Sequence, residues 1–174
     1  MINYTNFEIY SFGILLFFFG QVIQTIKSYF FVKKKKVIKQ KKQVRSLLSK
    51  HKTIKSLKAL SWYDFELLTM ELYAKMGWEV RGNEKKGADG GVDVWMRKGR
   101  KTAIVQCKRY ENSPVTIKLI REMYGLKYEY DANEVYIVTT SRFTKDCVPF
   151  AKGKDIILVD GNALVELIAK YQEH

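Results

Sequence analysis

Two short β-type runs, Val92 to Arg97 and Thr102 to Lys108, are joined by Lys98-Gly99-Arg100-Lys101, and this connection constrains the fold more than any other segment. Gly99-Arg100 suits a two-residue hairpin turn with glycine at the first central position, where φ must be positive. Lys98 then faces Lys101, each step back along one strand meets a step forward along the other, and Asp93 falls opposite Gln106. Opposed side chains in such a pair have Cβ atoms about 5 Å apart, and residues two apart share a face. One patch therefore collects Asp93, Gln106 and, on the diagonal, Lys108. A four-residue loop would preserve this pairing, whereas an odd loop or a bulge would not.

The patterns on either side complete an α/β chain. Ser61 is placed to cap a helix running to Met76, with Asp64 in its first turn and Gly77 as the stop. A β-type run at Trp78 to Arg81 follows, and the Gly-rich segment GNEKKGADGG leads into the hairpin. Pro114 opens a helix to about Asp131. A strand at Glu134 to Thr139, a helix near Thr144 to Lys152, a strand at Asp155 to Val159 and a helix from Asn162 come next. The order αβββαβαβα, an antiparallel hairpin continued through helical crossovers, predicts a mixed β-sheet flanked by helices on both faces.

In the helix from Ser61, Trp62, Phe65, Leu68, Leu72, Tyr73 and Met76 define an apolar arc, while Asp64, Glu71 and Lys75 gather on the polar side. Glu66 lies inside the apolar arc. A carboxylate facing a core needs a cation, a metal or several donors; a salt bridge to a core-edge Lys or Arg is the plainer alternative.

The N-terminal part has a different character. Ile9 to Ile26 is 18 residues without a charge, and apolar residues resume after Lys27 as YFFV. As a helix, residues 9–32 would measure about 36 Å, enough for a tilted crossing of a roughly 30 Å hydrocarbon core. No positive charge precedes the run and no small-residue cleavage site follows it, which disfavours a cleaved signal peptide. The flank KKKKVIKQKK predicts a single-pass inner-membrane protein with its C-terminal domain in the cytoplasm. Residues 1–58 carry 13 Lys/Arg against the single acid Glu8, whereas the remainder is nearly balanced, so the overall charge of +13 belongs to this arm. Residues 33–60 read as a basic juxtamembrane linker with Val37, Ile38, Val44, Leu47, Leu48, Ile54 and Leu57 at near-helical spacing. Contact with anionic lipid is the favoured reading of that linker, over DNA. Cys107 and Cys147 are the only cysteines, without a CxxC, and there are two histidines. Neither a disulfide framework nor a zinc site is readable, and reduced thiols fit a cytoplasmic domain.

Four blocks of residues in this order match a known family: Phe65-Glu66; Gly77-Trp78-Glu79-Val80; Gly87-Ala88-Asp89-Gly90-Gly91-Val92-Asp93; and Val105-Gln106-Cys107-Lys108. They resemble the catalytic domain of the Mrr-type restriction endonucleases, of the PD-(D/E)xK nuclease superfamily. The likeness continues through Val138-Thr139-Thr140-Ser141, Phe143-Thr144 and Leu158-Val159-Asp160-Gly161, so it spans residues 61–174. It implies a restriction-endonuclease-like core αβββαβ, here followed by an αβα extension, and it implies Glu66, Asp93, Gln106 and Lys108 as the catalytic set. Gln106 stands where the wider superfamily has an acid, although the Mrr branch accepts QxK. A membrane anchor replaces the usual DNA-reading domain.

The chemistry agrees with that implication. Hydrolysing a phosphodiester needs a hydroxide near neutral pH and relief of negative charge on the phosphoryl oxygens, both of which a divalent cation supplies. Mg²⁺, or Mn²⁺, prefers oxygen ligands of the kind that Glu66, Asp93, the Gln106 side-chain oxygen and a strand carbonyl offer. Lys108 is a compact ammonium suited to orienting water or neutralising charge. The expected partners are DNA and membrane lipid, with homodimer formation left open. A non-cleaving DNA tether and a junction- or repair-type nuclease are the alternative functions. Asp89 either helps place the metal or satisfies a turn, and the turn is the favoured reading. Thr139, Thr140 and Ser141 are read either as phosphate contacts or as caps for the helix near Thr144.

Overall fold

The computed structural model describes residues 47–83 and 91–172. The expected membrane span, the lysine-rich stretch as far as residue 46, and Asp89 lie outside the described residues. Among the described residues, no helix is long and apolar enough to cross a membrane.

A five-stranded sheet in the order β1-β2-β3-β4-β5 organises the fold. β1 (Glu79–Gly82), β2 (Val94–Lys98) and β3 (Lys101–Lys108) are antiparallel neighbours, while β4 (Glu134–Thr139) and β5 (Ile156–Val159) continue in parallel from β3. The hairpin register is the expected one, from Lys98 opposite Lys101 to Val94 opposite Val105. Gly99 at φ +61°, followed by an Arg100 without positive φ, has the sign pattern of a type II′ turn. β3 is covered on both faces, which is why Ala103-Ile104-Val105-Gln106-Cys107 is buried without interruption.

The helices are α1 (Ile54–Lys58), α2 (Trp62–Lys75), α3 (Ile117–Glu129), α4 (Cys147–Ala151) and α5 (Gly161–Gln172). α1, α2 and α5 cover one face of the sheet, where Phe65, Leu68 and Leu72 meet Val94, Val105 and Ile168. α3 and α4 cover the other face, where Ile120 and Met123 meet Ile104 and Ile137. Burying side chains such as Phe65 and Leu68 contributes about 1.5–3 kcal/mol each. Ser61 caps α2 as expected, its hydroxyl accepting from the Asp64 N–H at 3.0 Å.

Several expectations are corrected. Trp62 does not join the apolar arc: it is 43% exposed, with the Arg109 guanidinium 5.8 Å from its ring centre. The helix expected from Pro114 starts only at Ile117. Val115 is fully buried and bridged to Phe143, its N–H donating to the Arg142 carbonyl at 2.8 Å and its carbonyl accepting from Thr144 N–H at 3.0 Å. The same bridge holds Thr144 extended and delays α4 to Cys147. Finally, the packed unit reaches further back than Ser61. Leu47, Leu48, Leu57 and Leu60 belong to the core against α2 and α5, so these linker leucines face protein rather than lipid.

Candidate active site

The ladder between β2 and β3 ends at Val94, and the chain bends one residue before it. Continued regularly, the register would set Asp93 opposite Gln106. Instead the Asp93 N–H donates to the Val105 carbonyl at 2.9 Å, and its side chain folds over the neighbouring strand. Asp93 Oδ2 accepts from the Cys107 N–H at 2.6 Å and from Gln106 Nε2 at 2.5 Å. The carboxylate thus replaces a backbone carbonyl as acceptor for a buried strand N–H, which fixes its position. Oδ1 receives no bond from any described residue.

Gln106 is 4% exposed. Its nitrogen is shared between Asp93 and the Cys107 carbonyl, at 3.3 Å, so its oxygen points away from Asp93. This orientation is the reverse of the one a metal ligand needs. Lys108, two residues along, is half-buried, and its charge lowers the Asp93 pKa. Its ammonium makes no hydrogen bond or ion pair with a described residue. Its backbone is held firmly, the carbonyl accepting from Thr139 Oγ1 at 2.7 Å.

Glu66 comes from α2, on the other layer, and is half-buried. Burial raises its pKa, and the nearby Asp93 charge raises it further. Burial also raises Asp93, outweighing the opposing effects of the Cys107 N–H, the Lys108 charge and the Gln106 amide. The salt-bridge alternative for Glu66 is not what the structure contains: no Lys or Arg among the described residues pairs with it. Two acids therefore sit close together, partly desolvated, with no salt bridge to either among the described residues and only the nearby Lys108 charge acting on Asp93. That is the electrostatic condition of a cation site.

The oxygens that could hold a metal here, from Glu66 and Asp93 and from Gln106 once its amide is turned, are hard donors that would suit Mg²⁺ or Mn²⁺ better than a soft or nitrogen-seeking metal. Among the described residues no three His, Cys, Asp or Glu side chains converge as a metal cluster, so a neutral oxygen and water must complete any shell. Thr139 and Thr140 turn out to do neither job expected of them. Both are buried, and their hydroxyls tie the end of β4 to β3, Thr139 to the Lys108 carbonyl and Thr140 to the Tyr110 carbonyl at 2.8 Å. One neighbour of the site had no sequence signal: Glu122 of α3, whose Oε1 lies beside Gly91 together with Gln106 Oε1.

The family model Mrr_cat, described as restriction endonuclease, matches residues 57–168. The chain belongs to this family. Two solved structures are similar in fold to this chain. One is the DNA modification-dependent restriction endonuclease AspBHI, at 16% identity and a TM-score of 0.54, covering 75% of this chain and 35% of that one. The other is a protein of unknown function, AF1548, at 14% identity and a TM-score of 0.52, covering 61% of this chain and 64% of that one. The chain thus spans less than two thirds of either relative, and the likeness is one of fold. A comparison with curated proteins finds no match.

Proposed function

We propose that this protein is a divalent-metal-dependent DNA endonuclease of the restriction type, held at the membrane by its N-terminal segment and acting on foreign or modified DNA. The observation that carries the catalytic part is the pairing of Glu66 with Asp93, two partly buried acids with raised pKa and no salt bridge among the described residues, at the end of the QxK strand. Membership of the restriction endonuclease family supports the choice of DNA as substrate.

Glu66, Asp93 and, after its amide has turned, Gln106 would hold Mg²⁺ or Mn²⁺. The bound cation would supply hydroxide near neutral pH and relieve charge on the phosphoryl oxygens. Asp93 is held in place by the Cys107 N–H, so it needs no reorganisation to present Oδ1. Lys108 extends from the same strand as Gln106, and its ammonium orients the attacking water or neutralises the phosphate in the transition state. The apolar run of residues 9–26 and its lysine flank support the membrane-anchored arrangement.

The test is to incubate the purified full-length chain with methylated and unmethylated plasmid, with Mg²⁺, with Mn²⁺ and with chelator. Metal-dependent conversion of supercoiled to nicked or linear DNA is expected. DNA that binds and is never cut would leave a tether in place of a nuclease. Alkaline carbonate washing of membranes tests the anchor, which is overturned if the chain is released.

A further inference from the structure

Gly91, just before β2, has φ +66°, and a Cβ there would lie 3.5 Å from Gln106 Oε1, 3.5 Å from Glu122 Oε1 and 3.3 Å from Leu126 Cδ1. Glycine at this position keeps open a small space onto which an amide oxygen and a carboxylate oxygen converge. No more than twice 3.5 Å separates those two oxygens. Both are acceptors, and no donor from the described residues reaches Gln106 Oε1. An almost fully buried amide would ordinarily turn its nitrogen toward a carboxylate. Gln106 turns its nitrogen toward Asp93 and not toward Glu122, with Nε2 held by Asp93 Oδ2 at 2.5 Å and by the Cys107 carbonyl at 3.3 Å.

Gln106 therefore has two carboxylates on its two sides and one NH₂ to share between them. When a cation takes over Asp93, the reason for pointing Nε2 at Asp93 disappears, and the amide oxygen becomes the favoured group on that side. Turning the amide then directs Nε2 into the space beside Gly91. We propose that Glu122 is a positioning residue of the metal site: it accepts Nε2 of the turned Gln106, directly or through one water, and so holds the amide oxygen toward the cation. Partners that fix the orientation of a metal ligand in this way commonly change affinity by about 10–100-fold when removed. The inference rests on the metal-dependent reading given above. The three acids do not form one cluster, which agrees with Glu122 acting through Gln106 rather than as a ligand.

The experiment measures Mn²⁺ and Mg²⁺ binding to the full-length chain by calorimetry, together with the side-chain amide signals of Gln106 in ¹⁵N spectra. Glu122 is exposed, so its replacement leaves the metal-free fold intact, which melting in chelator verifies. Glu122→Ala is expected to weaken metal binding about tenfold or more and to blunt the metal-induced shift of the Gln106 amide. Glu122→Gln, which keeps an acceptor, falls between that variant and the unaltered chain. Glu122→Lys, whose ammonium would hold Oε1 in place, is the weakest binder. Glu129→Lys, two turns further along α3, makes the same change of charge away from the site and controls for it. Unaltered affinity in Glu122→Ala, or equal effects of the two lysine variants, would overturn the role given to Glu122. If the unaltered chain takes up no divalent cation, the metal-dependent reading itself fails; if it does, and Asp93→Asn loses the metal while Glu122→Ala keeps it, only this inference fails.

Discussion

Gln106 presents its nitrogen, and not its oxygen, to Asp93, with Nε2 2.5 Å from Oδ2. In the metal-free protein the neutral member of the QxK strand thus acts as a donor that holds the neighbouring acid in place. An acid at this position would repel Asp93 instead, so the glutamine exchanges one charge of metal affinity for an Asp93 carboxylate that is fixed beforehand.

That exchange is open to measurement through Gln106→Glu. Without metal, the variant loses a hydrogen bond to a charged group, worth about 1.5–3 kcal/mol, and adds a like charge beside Asp93. Its melting temperature in chelator is expected to fall. With Mg²⁺ the extra carboxylate tightens binding, so metal-induced stabilisation should exceed that of the unaltered chain. Equal stability in chelator would mean that the Asp93–Gln106 bond contributes nothing to the fold.

Asp93→Ala and Lys108→Ala should both abolish cleavage but should differ in stability. Removing Asp93 leaves the buried Cys107 N–H without its acceptor, a cost of about 1–3 kcal/mol. Lys108 pairs with no described residue through its ammonium, so its truncation should stay within about 0.5 kcal/mol. Chemical denaturation in chelator separates the two. A Lys108 variant that is destabilised like Asp93→Ala would give that lysine a structural role.

Glu66→Gln is expected to weaken metal binding and slow cleavage strongly, with partial recovery at high Mg²⁺. The pH dependence of the metal-free chain supplies an independent signature. Burial, and then the Asp93 charge, raises Glu66 from its ordinary value of 4.5, so the folded state binds this proton more tightly than the unfolded one. Its contribution to stability is full below 4.5 and is lost as pH rises through the higher folded value. Asp93, raised from 3.8 chiefly by burial, adds a loss of the same sign. Denaturation midpoints in chelator should decline as pH rises through this range, and less steeply in Glu66→Gln. Equal slopes would remove Glu66 from the coupled pair.

Tyr73 offers a test of the core alone. It is 1% exposed, packs edge-on against Tyr136 at 5.1 Å, and its hydroxyl has no hydrogen-bond partner among the described residues. Tyr73→Phe keeps the ring and removes the orphan group, so stability should rise by about 1 kcal/mol. A fall would mean that the hydroxyl makes a bond after all, most simply to a buried water.

The sequence by itself determined what depends on neighbours along the chain. Gly99 dictated the turn, the turn dictated the register from Lys98 to Val94, and Ser61 marked the start of α2; in each case the interacting groups are a few residues apart or lie across one tight connection. Glu66 stood out because a helix of known period placed a charge among apolar residues. Only the tertiary structure decided where Asp93 points, because its side chain left the regular ladder to take a buried N–H from β3. It also decided which end of the Gln106 amide faces Asp93, since an amide has no preference until donors and acceptors surround it. Glu122 reaches the site because α3 packs across the face of β3, an arrangement set by Ile120 and Met123 in the core and not by any pattern around Glu122. The same packing of distant segments drew Leu47, Leu48 and Leu57 into the core, where the local spacing alone was equally compatible with a lipid surface.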